Sequence, residues 1–189
     1  MRRQIVDVTL ENLSLAPPEA LDAVFWELRE EAHVDPRFQK EGWFSSTLLE
    51  WGACGKLLSE GDRAIGFAQY APGSLFPRLE SYRCGSVSAD AVYLAYCYVV
   101  KDRRGRGVGT DLVRTVARDL VDRGFRALES LGDRDWENGW VLPAPFLGSN
   151  RFTVLRDDRR FPLMRRDLSA APDPERATAR ETASVGETT

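Results

Sequence analysis

The chain has 189 residues, 43% of them hydrophobic and 29% charged, with 15 glycines and 10 prolines, the balance of a folded globular domain. That composition excludes collagen-like, coiled-coil and wholly disordered architectures, and a chain this long buries roughly 70% of its unfolded surface without disulfides or metals. Lys+Arg 26 against Asp+Glu 29 leaves a net charge of -3, which excludes a protein that coats nucleic acid and confines any basic site to a local patch.

The N-terminus, Met1-Arg2-Arg3-Gln4-Ile5-Val6-Asp7, turns charged before an apolar segment develops, and the longest apolar run, Ala91 to Val100, falls short of the roughly 20 residues that span a bilayer. A cytoplasmic protein with no membrane partner is expected. Cys54, Cys84 and Cys97 are odd in number and form no C-x-x-C pair, and His33 is the only histidine; neither a disulfide framework nor a metal site is expected.

Taken in chain order, Arg3 to Val8 alternates as a strand, and Pro17-Pro18-Glu19 opens a helix with Leu21, Val24, Phe25 and Leu28 on one face, ending near Asp35-Pro36. A second, short helix is expected from Ser45 to Trp51, with Leu48, Leu49 and Trp51 inward and Gly52 closing it. Lys56 to Ser59 and Ile65 to Tyr70 flank the turn cluster Glu60-Gly61-Asp62 and read as an antiparallel hairpin. Residues 75–88 read as a loop in which Phe76 and Leu79 provide anchors. Ala91 to Val100 is apolar on both faces and rich in Tyr and Val, the pattern of a central strand covered on each side.

After the loop 101–107, Val108, Leu112, Val113, Val116, Ala117, Leu120 and Val121 recur at helical spacing up to Gly124. Phe125 to Leu131 is a further buried strand, so strand, helix and strand form a parallel crossover. A polar loop, 132–140, a short helix, 145–150, and strands 152–156 and 163–168 complete one mixed α/β domain over 1–168. From Ala170 the chain holds no large apolar residue except Val185, and 169–189 is expected to be a disordered tail.

The chemistry concentrates in Val99-Val100-Lys101-Asp102-Arg103-Arg104-Gly105-Arg106-Gly107-Val108-Gly109-Thr110, a Gly-rich loop between a buried strand and the N-terminus of an amphipathic helix. Glycines admit positive φ and close approach, the first helical N–H groups point outward, and the helix dipole favours an anion there. Arg103, Arg104 and Arg106 add positive charge. Two ligand classes suit such a cradle. A dinucleotide is one, with Glu129 at about the offset of a ribose-binding acid, although the third glycine falls at the wrong spacing. Coenzyme A is the other.

Arg104-Gly105-Arg106-Gly107-Val108-Gly109 resembles the acetyl-CoA signature of the GCN5-related N-acetyltransferase (GNAT) family, Arg or Gln followed by x-x-Gly-x-Gly or Ala, and it stands between a long strand and a long helix as in that family. The resemblance extends over about 3–168. It implies a mixed, splayed central sheet flanked by helices, and direct acyl transfer from acetyl-CoA to a primary amine of a small molecule or protein. The amides of Gly105, Gly107, Gly109 and their neighbours Arg106, Val108 and Thr110 would hold the pyrophosphate. A family bulge, by position near Tyr98 to Val100, would turn the amides of Tyr98, Val99 and Val100 to the pantetheine and the thioester oxygen.

The chain departs from the family at the acid and base. Where many members carry a strand Glu it has Tyr93 and Ala95, and where many carry a helical Tyr it has Leu147. Candidates that remain are Tyr93 and Cys97, expected on the face of the missing Glu and opposite Tyr96 and Tyr98, and Glu129 on the next strand. Cys97 as a covalent nucleophile lacks a nearby base. Trp43, Trp51, Phe76, Trp136 and Trp140 are placed to border an acceptor groove, with Glu50, Glu80 and Asp133 able to attract a cationic amine. A nonenzymatic acyl-CoA-binding module is the alternative suggested by the missing acid and base. Oligomeric state, a homodimer included, is left open.

Overall fold

In a computed structural model of the chain, residues 2–30, 33, 35–136 and 139–168 are described, and the expected tail, 169–189, lies outside them. Among the described residues one sheet contains β1 (Arg3–Asp7), β2 (Gly55–Glu60), β3 (Arg63–Ala71), β4 (Ala91–Val99), β5 (Ala127–Asp133), β6 (Leu142–Pro143), β7 (Thr153–Arg156) and β8 (Leu163–Asp167). Its order is β1-β2-β3-β4-β5-β8-β7, with β6 also pairing β5. The β4–β5 and β5–β6 pairs are parallel and the rest antiparallel. This mixed order excludes the doubly wound sheet of a dinucleotide-binding oxidoreductase.

The helices α1 (Pro18–Leu21), α2 (Pro36–Glu50), α3 (Val108–Asp122) and α4 (Ala144–Ser149) flank the sheet. On one face α3 buries Val108, Leu112, Val113, Val116, Ala117 and Leu120, joined by Leu147 of α4 and by Val92 and Leu94 of β4. Each of these Val and Leu side chains contributes about 1.5–3 kcal/mol by leaving water. Val121, expected in that stripe, is 43% exposed. The other face is covered by Leu21, Trp26, Phe44, Phe76 and Leu79, the last two being the expected anchors of the 75–88 loop.

Between residues 18 and 50 the structure corrects the expected boundaries. The first helix ends at Leu21, because the following backbone groups bond to distant side chains instead of to the next turn. Trp26 N–H donates to Tyr96 Oη (3.0 Å), and the carbonyls of Phe25 and Leu28 accept from Arg78 Nε (3.1 and 3.0 Å). Asp35-Pro36, expected to close that helix, opens α2: Asp35 caps the N–H groups of Arg37 and Phe38, and Pro36 takes the first helical position. The amides of Trp51 and Gly52 both return to Thr47 O, ending the helix where expected, but Leu49 is 88% exposed and Phe44 is the buried residue of that face.

The decisive irregularity is in β4. Gln69 pairs with Tyr96 while Tyr70 pairs with Leu94, so Ala95 is an extra residue, a β-bulge. It lies three residues before Tyr98, the first residue of the segment where a bulge was expected.

Candidate active site

Strand β4 stays with β5 only from Ala91 to Tyr93, opposite Ala127 to Glu129. Where β4 leaves, Ser130 Oγ closes the gap by donating to Leu94 O (2.9 Å), and further on β6 takes over β5's free edge at Gly132 and Asp133. A cavity of about 840 Å³ opens in this splay, reached by Tyr96, Cys97 and Val99 of β4, Gly107 and Gly109 at the start of α3, and Trp140 opposite.

The Gly-rich loop sits at the mouth of this cavity. Gly105 (φ 72°) and Gly107 (φ 79°) occupy the left-handed region, which L side chains enter at a cost. Gly107 is the N-cap of α3 and has no capping side chain. The first intrahelical bond is Asp111 N–H to Gly107 O (2.9 Å), so the N–H groups of Val108, Gly109 and Thr110, all at the cavity, have no helical partner. A Cβ at Gly105 or Gly107 would meet nothing within 4 Å, so open space lies beside both glycines.

The three loop arginines divide. Arg103 and Arg104 both line the cavity, and Arg104 Nε donates to Val99 O (3.0 Å). Arg103 is claimed by Glu60 (2.9 Å) and Asp102 (2.8 Å); together with Arg3 it holds the Glu60 carboxyl below its usual range. Arg106 is exposed and outside the cavity lining, and its carbonyl accepts from Arg3 (3.0 Å), which also binds Asp111 (2.8 Å) and Glu60 (3.1 Å).

Val100 N–H is spent on Ile65 O (3.0 Å). Antiparallel alternation therefore sends Tyr98 N–H toward β3 as well and turns those of Cys97 and Val99 to the open edge. Of the three amides expected there, Val99 faces the cavity; Cys97 joins it, and Tyr98 and Val100 do not supply theirs.

The bulge also overturns the expected grouping of side chains. Tyr93, Ala95, Tyr96 and Tyr98 pack on the α2 face and Cys97 on the α3 face. Tyr93 is fully buried between the rings of Trp26 and Phe76, outside the cavity lining, with no hydrogen-bond partner for its hydroxyl among the described residues. Cys97 reaches the cavity; burial pushes its thiol up to about 12, so it stays protonated at neutral pH. Glu129 is fully buried away from the cavity, accepting from Ser88 N–H (2.9 Å) and Arg165 (3.0 Å). Those partners leave it neither a ribose nor an amine to bind. Leu147 is buried in the core.

Two groups went unnoticed in the sequence. Glu19, in the first turn of α1, is the carboxylate among the described cavity-lining residues. It adjoins Tyr98, whose pKa is raised by burial and then by Glu19. Glu27 lies behind Tyr96, which donates to it (2.8 Å), and pairs with Lys40, while Gln69 bonds both: its Nε2 donates to Glu27 (2.9 Å) and its Oε1 accepts from Lys40 (3.0 Å). A polar quartet at such sequence separations has no local signal.

A second cavity, about 720 Å³, adjoins the first and shares Gly139, Trp140 and Val141 with it. Of the aromatic groups expected around an acceptor groove, Trp136 and Trp140 line the first cavity. Trp43 stacks on Phe76 (5.1 Å) in the core, and Trp51 lies under Arg123 (3.8 Å). Asp133 lines the second cavity, bound to Arg160 (3.4 Å), while Glu80 is paired with Arg29.

A splayed β4–β5 edge meeting an uncapped, Gly-rich helix start defines an α/β acyl-CoA transferase architecture. The family model described as "Acetyltransferase (GNAT) family" matches residues 19–139, and the chain belongs to that family of acyl-CoA-dependent acetyltransferases. No curated protein matches it in sequence. Solved structures share the fold at low identity. An N-acetyltransferase from Staphylococcus aureus Mu50 has 16% identity and TM-score 0.62, covering 89% of this chain and 100% of that one. The yncA protein of Salmonella typhimurium, solved with its cofactor acetyl-CoA, has 17% identity and TM-score 0.62 over 92% and 99%. The paia N-acetyltransferase of Thermoplasma acidophilum, in complex with coenzyme A, has 12% identity and TM-score 0.54 over 88% and 99%. No helix among the described residues is long and apolar enough to cross a membrane.

Proposed function

We propose that this protein transfers an acetyl group from acetyl-CoA directly to a primary amine, with the donor in the first cavity and the acceptor in the second. One observation carries this reading: the partnerless N–H groups at the start of α3 and the unpaired edge of β4 border the same cavity.

Acetyl-CoA would supply an activated thioester whose acetyl carbon bonds to the amine nitrogen as the carbon–sulfur bond breaks and the amine proton leaves. The backbone of Gly105 through Thr110 is suited to the pyrophosphate, with Arg104 adding charge. The amides of Cys97 and Val99 are suited to the pantetheine and to the thioester oxygen as negative charge builds on it. Positioning carries much of the remaining acceleration. Glu19 is assigned the amine proton, directly or through water.

A thermal-shift comparison with acetyl-CoA, CoA and NADP tests the donor. Saturation at about 100 times the dissociation constant adds roughly 2.7 kcal/mol, a shift of several degrees. Stabilisation by the CoA species but not by NADP is expected; a response to NADP alone overturns the assignment.

A further inference from the structure

The second cavity carries more information than its position. Two of its carboxylates are already claimed: Asp133 by Arg160 (3.4 Å) and Asp22 by Arg37 (2.9 Å). Arg78 is different. It projects from a 3-10 turn, Pro77–Ser81, and its Nε is fixed by the carbonyls of Phe25 and Leu28 (3.1 and 3.0 Å), with its guanidinium over the Phe25 ring (4.7 Å). Among the described residues no carboxylate pairs with it and no acceptor meets its two terminal nitrogens. A guanidinium held at one nitrogen in the wall of a cavity keeps its terminal nitrogens for an oxyanion. Around it Phe25, Tyr82, Val141 and Phe161 supply apolar wall.

We infer that the acceptor is an amine that also bears a carboxylate and an apolar body, Arg78 seating the carboxylate while the amine points toward the Trp140–Val141 wall shared with the first cavity. This rests on the acetyl-transfer reading above. The volume, about 720 Å³, suits a small amino acid derivative.

The test compares L-phenylalanine, L-leucine and L-methionine with their carboxamides as acceptors, in the wild-type protein and in Arg78→Gln and Arg78→Lys. Loss of a hydrogen bond to a charged group corresponds to about 10- to 100-fold. The KM of the acids should be lower than that of the amides by about that factor. Arg78→Gln should erase the difference, Arg78→Lys should restore part of it, and the acetyl-CoA dissociation constant should not move. Acids and amides used alike, or equal losses on both in Arg78→Gln, overturn the inference while leaving acetyl transfer standing. Calorimetry with N-acetyl-L-phenylalanine separates the two readings where no amine is turned over. Binding that is lost in Arg78→Gln then supports the carboxylate seat and excludes acetyl transfer to these amines, whereas no binding to the wild-type protein sinks the seat.

Discussion

Tyr93 and Cys97, four residues apart on β4, lie on opposite faces of the sheet, because the extra residue Ala95 between them shifts the alternation by one. In an unbroken strand they share a face. The consequence for chemistry is that Cys97 alone reaches the first cavity, and does so as a thiol. Cys97→Ala should retain at least half the wild-type kcat, and iodoacetamide at pH 7.5 should leave Cys97 unmodified in the folded protein, as peptide mass analysis reads directly. A hundredfold loss in the alanine variant would restore Cys97 as a nucleophile.

Gly107 gives the cradle its shape. Gly107→Ala should lower stability by about 1–2 kcal/mol through its positive φ. Gly107→Glu adds bulk and negative charge at the proposed phosphate cradle, and should abolish acetyl-CoA binding in calorimetry with the far-UV spectrum retained. Unchanged affinity in the glutamate variant removes the case for this loop.

Glu19 at the cavity and Glu129 in the core separate cleanly as candidates for the base. Glu19→Gln should lower kcat by about 10²-fold or more with little change in acetyl-CoA affinity, the usual scale for a lost proton acceptor. Glu129→Gln should leave kcat near wild type and reduce the urea midpoint by the equivalent of about 1–3 kcal/mol, since it weakens the contact with Arg165 and Ser88 in a buried setting. The reverse pattern of kcat losses reassigns the base to Glu129.

Lys40 and Glu27 form a buried pair, 0% and 2% exposed at the side chain. Burial pushes the Lys40 amine's pKa down, against the pull of Glu27. Lys40→Met strands the carboxylate and should cost about 3–5 kcal/mol, whereas Glu27→Met with Lys40→Met should cost less than the single change. Strictly additive urea-unfolding energies across the two single variants and the double variant exclude the coupling.

Cys54 and Cys97 give the fold an alkaline weakness. Burial raises each thiol from 9.0 to about 12. Below pH 9 both states are protonated and nothing is lost. Between 9 and 12 the unfolded chain ionises while the folded one does not, so stability falls as pH rises through this window. Each thiol adds a slope approaching 1.4 kcal/mol per pH unit, at about the limit set by one proton. Urea midpoints from pH 8 to 10, below the range where the buried tyrosines Tyr70, Tyr93 and Tyr96 add the same effect, should decline less steeply in Cys54→Ala with Cys97→Ala; an equally steep decline in that variant rules the thiols out.

What was legible in the sequence was local. β4, α3 and the loop between them announce themselves through a two-sided apolar run, a 3.6-residue stripe and glycines at a helix start, each within one segment. Asp35-Pro36 was misread because a residue before proline both discourages the preceding helix and caps the next. The bulge is a relation between strands, visible only once Gln69 and Tyr70 have found their partners. The second cavity gathers Phe25, Arg78, Asp133 and Phe161 from four distant segments, and their convergence is a property of the fold rather than of any motif.

Arg3 ties the sheet's first edge strand to the phosphate loop through Arg106 O and Asp111. Edge and proposed ligand site therefore share one side chain: a ligand that orders the loop would also hold β1 down, and fraying of β1 would loosen the loop. The binding energy of the proposed donor would then be partly spread over a strand it never touches, and amide exchange at Ile5 and Val6 should report on occupancy from outside the cavity.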